Sequence, residues 1–387
     1  MPLRLRPLLA LVAVAATAAG GAALSGCGGV SAADPSAAET PATPDNLADV
    51  YRKARGGAVI RLAPGDYGTF SGGRKSSPVT VRGPVSGVAT MKLQLQGEQQ
   101  VVIDHVTIPD AYLNAVRDVT IRRSSFTGMT RVDAFERDAG ILFTHDQFHA
   151  VDPCEKCYEG RLTIRGDGHP DGRPVGVTIR DNRFGPGGTA DGIQIIGTAE
   201  AVRIGPGNRF AGLGQSQAQG SPHTDPIQLY GSTRTVITGN WMSGNATGIM
   251  APDGSSGEII TNNVIQTTGY PWPIVMGGAH RNTIVHNTLP GGGSIEVDRS
   301  NNGDPSSEVV VQDNTARAVV NARGGVPTGV DQDYNLLVSG ARGPHDVRGR
   351  PRFKGGSKPT SYAGYRLARS SAGHGRGTGG TNIGIAG

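Results

Sequence analysis

The sequence predicts an all-β fold, a parallel β-helix in which the chain winds as a solenoid of stacked strands. Three observations carry that prediction. Short apolar strands bounded by Gly or Pro recur in one frame (ADGIQIIG, HTDPIQLYG, ATGIMAPDG, PWPIVMGG, GSIEVDR), with Ile193, Ile227, Ile249, Ile274 and Ile295 separated by 34, 22, 25 and 21 residues. A second ladder interleaves with the first (VTIRDNRF, VRIGPGNRF, VITGNWM, IITNNVI, TIVHNTL, VVVQDN) and aligns Asn182, Asn208, Asn240, Asn263, Asn287 and Asn314. No stretch of helical periodicity lies between the strands, so each repeat is read as all-β and parallel to the next.

Length and composition agree. By length alone, 387 residues suggest two or three domains, but a repeat array grows without splitting, and one domain is expected. Sixty glycines, 36% hydrophobic and 5% aromatic residues suit a thin core with many tight turns. Disorder would suit that composition too, but not the strand period.

In chain order, residues 1–27 read as a targeting segment: Arg4 and Arg6 start it, and an apolar stretch runs from Leu8 to Ala23. The run Leu24-Ser25-Gly26-Cys27 resembles a bacterial lipoprotein signal. That resemblance implies cleavage before Cys27 and lipidation of its thiol, hence a membrane anchor and an extracellular site. An ordinary secretory signal with a chance cysteine is the plain alternative. Residues 28–45, rich in Ala, Pro, Ser and Thr, read as a flexible tether. Nothing later is long and apolar enough to span a bilayer.

The β-helix is expected over 46–340. Leu47, Val50 and Tyr51 have helical spacing, and a short amphipathic helix there would cap the open end of the solenoid. This entry segment, followed by LAPGDY, resembles the first coil of the pectin-lyase-like superfamily, especially its chondroitinase and alginate-lyase branch. The resemblance covers roughly 46–387 and implies a single-stranded, right-handed parallel β-helix. Coils follow through VTVRG, VVIDHVTI, VTIRRSSF and ILFTHDQF, and 150–176 reads as a long insertion. It holds Cys154 and Cys157, for which a short-loop disulfide is expected in an exported protein. A zinc site lacks further ligands at suitable spacing, and a redox pair lacks a thioredoxin-like context. From Val177 to about Val320, alternate Val and Ile point inward. The asparagines are read as structural: Asn tolerates left-handed backbone at a bend, and stacked amides bond from coil to coil. Residues 341–387 hold nine Lys or Arg against one acid, Asp346, and resemble the closing segment that packs on the last coils. This basic tail is a solvated end or a contact for an anionic polymer or anionic lipid. It is not interleaved with aromatics, so no nucleic-acid partner is expected.

Residues one coil apart stack at about 4.8 Å, so aligned positions can be compared directly. Two before the aligned Ile stand Asp191 and Asp225; one after it stand Gln194 and Gln228. Between the two coils lies an extra loop, 212–223, that the solenoid does not need; it delivers His223 next to Asp225. Asp253, Asp298 and Arg299 enter later on the same edge. Paired carboxylates either share a proton or bind a cation, so Asp191 and Asp225 are candidates for acid–base work or for calcium. An aspartate before Gly or Pro is also an ordinary turn residue. Tyr230, Tyr270 and Trp272 are candidate sugar platforms or plain packing. His145, His149 and His280 read as solvated or turn residues.

ADGIQI partly resembles the D-G-I-D strand of polygalacturonases, where stacked Asp residues are acid and base. The chain departs from that pattern at Gln194 and Gln228 and lacks the family's Arg-x-Lys. Uronate lyases instead need a cation or an Arg for the substrate carboxylate and a Lys, Arg or His base. No lysine lies between Lys156 and Lys354, which removes a lysine base from the regular coils and leaves His223 with Arg299 or Arg281. The expectation is a monomeric protein acting on anionic extracellular polysaccharide, first as a uronate lyase. A hydrolase using Asp191 and Asp225, and a glycan binder without turnover, are the alternatives.

Overall fold

The computed structural model describes residues 39–134, 139–153, 159–166, 175–197, 201–214, 224–322 and 324–386. Cys27, Cys154, Cys157 and His223 lie outside the described residues. Every strand ladder among those described is parallel; most strands fall into three stacks, and Ser232–Thr233, Ser255–Ser256 and Ala279–His280 form a small fourth. A back sheet of thirteen strands runs from Thr40–Ala42 to Val330–Asp333. A front sheet runs from Gly65–Phe70 to Val319–Val320. A flank of short strands joins back to front, from Thr107–Ile108 to Val264–Thr267.

The isoleucine frame is the register of the front sheet. Ile193, Ile227, Ile249, Ile274 and Ile295 pair in succession, all with 0% exposure. Stacking of like on like also builds the flank's interior. Phe126, Phe148, Phe184 and Phe210 lie face to face at 4.4, 4.5 and 4.6 Å, close to the strand spacing.

The asparagines turn the chain from back sheet to flank. The Asn240 N–H and side-chain amide both donate to Asn263 Oδ1, and the Asn263 amide donates back to Ile237 O and on to Asn287 Oδ1. The same bonds recur through Asn314 to Asn335, beyond the six asparagines of the sequence ladder. Asp146 occupies the equivalent place one coil before Asn182, and Asp346 one coil after Asn335. The left-handed residue is not the asparagine but the one before it: Asp181, Asn262, His286 and Asp313 have φ of 58°, 55°, 56° and 57°. Asparagine is needed here because it donates and accepts at once.

Three segment boundaries differ from expectation. The β-helix begins inside the segment read as a tether: Thr40–Ala42 pairs with residues 60–62, and Glu39 bonds Arg61 and Arg82. The capping helix, Leu47–Lys53, follows as expected with Leu47 and Tyr51 buried. Residues 150–176 are not wholly an insertion, because Gly160–Gly166 is a full front-sheet strand with Leu162 and Ile164 inside. The closing segment packs on the solenoid as expected but reaches further back, along the flank. Tyr362 donates to Asn262 O, Ile385 N–H to Thr288 Oγ1 at 3.1 Å, and Tyr365 sits edge-on to Trp241 at 6.3 Å. Flank residues Trp241 and Val264 point apolar surface outward, and this strap covers it. No helix among the described residues is long and apolar enough to cross a membrane.

Candidate functional site

Strand parity decides what each front-sheet residue can do. Isoleucines face in, so the residues one step away face out. One outward row passes through Gln94, Tyr112, Arg131, Thr163, Gln194, Gln228, Met250, Val275 and Glu296. It forms the floor of a long groove whose two halves differ in chemistry.

In the first half, strands Thr130–Ala134 and Gly160–Gly166 place two arginines around one acid. Arg131 Nε and Arg165 Nη1 each lie 3.4 Å from a different oxygen of Asp133, which is 3% exposed. The Arg131 guanidinium also lies over the Tyr112 ring, 4.8 Å from its centroid. The arginines keep partial access to solvent, with side chains 44% and 27% exposed. Gln94, Asp110, Tyr112, Arg131 and Thr163 line a cleft of about 470 Å³ there. Lys92, on strand Ala89–Gln96, is exposed on the same outer face. The groove thus begins before the regular coils, and a lysine does reach it.

In the second half the groove carries amides and protonatable acids. Gln194 Nε2 donates to Gln228 Oε1 at 2.5 Å. Burial, then the neighbouring Asp298 carboxylate, pushes the Glu296 carboxyl up to about 7. Burial, with Glu296 and Asp225 nearby, pushes the Tyr270 hydroxyl up to about 12.

Asp191 and Asp225 come together in adjacent coils, as the register requires, but they do not face the groove. Each lies two residues before an inward isoleucine, and they are 1% and 3% exposed. The Asp225 N–H donates to Asp191 Oδ1 at 2.6 Å, and Thr247 Oγ1 donates to Asp225 Oδ1 at 2.5 Å. Asp191 Oδ2 is buried without a hydrogen-bond partner among the described residues. Burial and the Asp225 charge raise the Asp191 carboxyl well above the usual range; burial raises Asp225, against the pull of Thr247. Arg161, fully buried nearby, spends its donors on the carbonyls of His149, Gly187 and Ala190; burial brings it down to about 10. The pair is therefore a buried ladder whose carboxyls hold their protons to higher pH than exposed ones. No group of three or more His, Cys, Asp or Glu among the described residues is placed to hold a metal ion.

Asp253 and Arg299 do not join the pair. Asp253 lies past the end of its strand, six positions further along than Asp225, roughly 20 Å at the rise of a β-strand. Asp253 accepts from Asn301, and Arg299 donates to Gly303 O. Tyr230 stands 52% exposed on the outer face. Trp272 is half-buried, edge-on to Tyr270 at 5.5 Å. His145, His149 and His280 each bond a neighbouring hydroxyl, the unremarkable role expected of them. The arginine pair escapes the sequence reading, although extending the Ile193 frame back to Leu162 and Thr130 would align TRVDA with LTIRG.

A family model described as a right-handed beta helix region matches residues 111–326. No curated protein matches this sequence. Among solved structures, the PL6 family alginate lyase AlyGC matches with a TM-score of 0.52 and 14% identity, over 87% of this chain and 57% of that one. This chain thus spans little more than half of that protein. A PL6 alginate lyase complexed with trisaccharide matches at 0.52 and 12%, over 89% and 94%. A mannuronic acid specific polysaccharide family 6 lyase from human gut microbiota matches at 0.51 and 15%, over 77% and 86%. At such identities the likeness is one of fold.

Proposed function

Because this chain belongs to the right-handed β-helix family, we propose that it is an extracellular polysaccharide lyase that cleaves a uronate-containing glycan by β-elimination. The observation that carries this reading is the Arg131–Asp133–Arg165 group, whose Arg131 lies over the Tyr112 ring and lines the groove cleft. Removing the proton next to a uronate carboxyl drives negative charge onto that carboxyl. Two guanidiniums fixed by a shared acid are preorganised to receive that charge. In the elimination, a base takes the C5 proton, the C–H electrons become the C4–C5 double bond, and the 4-oxygen leaves and takes up a proton. Tyr112, one coil from Arg131, is the group we assign to the proton exchange. The neutral second half of the groove holds the next sugars through Gln194, Gln228 and Tyr230. A tether through Cys27 on the outer face of the membrane belongs to the same proposal. The hydrolase reading has less support because its two carboxyls are buried, 1% and 3% exposed.

The test is turnover of polymannuronate, polyguluronate and polygalacturonate, followed by the absorbance of unsaturated uronate ends. Arg131→Ala is expected to lower the rate about a hundredfold, the usual loss for one transition-state charge partner, while the fold is kept. Reducing ends without that absorbance would identify a hydrolase, and binding with neither product a glycan-binding protein.

A further inference from the structure

Stacked arginines elsewhere on this solenoid are neutralised. Asp104, 0% exposed, sits among Arg82, Arg122 and Arg123, and Asp133 lies between Arg131 and Arg165. One pair on the flank is different. Arg183 and Arg209 are in direct register, hence one strand spacing apart, and both are exposed. Neither has a carboxylate partner among the described residues, and the nearby Asp181 is bonded to Arg180 at 2.6 Å. Like charges directly opposite across strands are destabilising, so an anion lying on both would remove a cost the fold otherwise bears.

The surroundings give that anion a shape. Arg209 lies against the face of Trp241, 4.6 Å from the ring centroid, which holds the guanidinium plane in place. Tyr362, brought in by the C-terminal strap, closes the other side through its bond to Asn262 O. Together with His145 these residues line a cleft of about 550 Å³. That is room for a small organic ligand rather than one ion. The cleft is on the flank, around the corner from the groove.

We infer that this cleft is a second, non-catalytic site for carboxylated sugar, with Arg183 and Arg209 receiving the carboxylate and Trp241 and Tyr362 forming its aromatic walls. The choice of ligand rests on the proposed function; the existence of an anion site does not. A chain held at the flank stays with the enzyme between cuts in the groove.

The protein has two tryptophans, so Trp272→Phe leaves Trp241 as the only indole emitter. Titrating that variant with trigalacturonate or trimannuronate is expected to change its emission saturably. Replacing Arg183 and Arg209 together with Ala should weaken the response by roughly tenfold or more, the loss of one charge-assisted contact. The response should persist when Arg131→Ala is added, even though turnover is about a hundredfold slower. Loss of the signal with Arg131→Ala would put the binding in the groove and overturn the inference. An equal response to inorganic phosphate, or to neutral cellotriose, would overturn it in favour of a plain anion site or an uncharged sugar site. An unchanged response in the double arginine variant would do the same.

Discussion

Asp133 lies in a front-sheet strand and Asp225 two residues before another, and each is 3% exposed. Asp133 points outward and is hidden by the two arginines it holds; Asp225 is buried beside Asp191 and accepts from Thr247. The first is a charge fixed by charges. The second has a hydroxyl and a neighbouring acid for company, and burial raises its carboxyl to about 7. The difference teaches that exposure does not separate functional from structural acids in a solenoid; the parity of the strand does. Outward acids meet substrate and cations, whereas inward acids behave as amides.

The asparagine ladder is the limiting case of an inward polar position, because it needs no proton. Asn263→Leu should therefore have the largest effect on stability. It leaves the Asn240 N–H and Ile237 O without their partners inside the core. At about 1–3 kcal/mol for each orphaned group, the loss is about 4 kcal/mol, read as a lower midpoint in denaturant. A midpoint unchanged from the natural protein would show that the inner amides are not what joins the coils.

The same parity explains what was legible in the sequence. The isoleucine frame predicts the front-sheet register residue for residue, since any slip of one would expose five isoleucines. The neighbourhood of Asp191 and Asp225 follows from that frame too. Their side of the sheet also follows from counting two back from Ile193 and Ile227, but a motif that elsewhere carries catalysis invites the opposite reading. Arg131 and Arg165 were harder to find. Their strands stand next to irregular spacings, and Thr130, rather than an aliphatic residue, takes the inward place aligned with Leu162. The capping helix was legible from its apolar spacing. The start of the first strand was not, because TPA carries little strand preference and pairs only through its backbone.

The outward acid can be broken next. Asp133→Asn keeps the shape and removes the charge between Arg131 and Arg165, which then repel each other. With both arginines partly exposed, solvent screening limits the cost to about 2 kcal/mol of stability. Turnover should fall as well, because the guanidiniums lose their common anchor. The comparison sharpens if the two effects appear together. A variant with full activity would remove Asp133 from the positioning of the arginines.

The smallest effect comes from the matching change inside, Asp225→Asn, and its sign reverses. Asn is a cleaner probe here than Ala because it fills the same space and cannot ionise. In the folded protein burial raises the Asp225 carboxyl to about 7, and Asp191 beside it is raised as well. In the unfolded chain both titrate near 3.9. Between those values the folded state holds protons that the unfolded state has released, so stability falls as pH rises from about 4 towards 7. Glu258 and Glu296, each raised to about 7 by burial, add to the same slope. Asp225→Asn removes only one contribution. Near pH 8 the variant should be the more stable, whereas near pH 4 the two proteins should unfold together. A variant that loses stability equally at both pH values would mean that Asp225 is held as a charge, like Asp133, and the contrast between the two sides of the sheet would collapse.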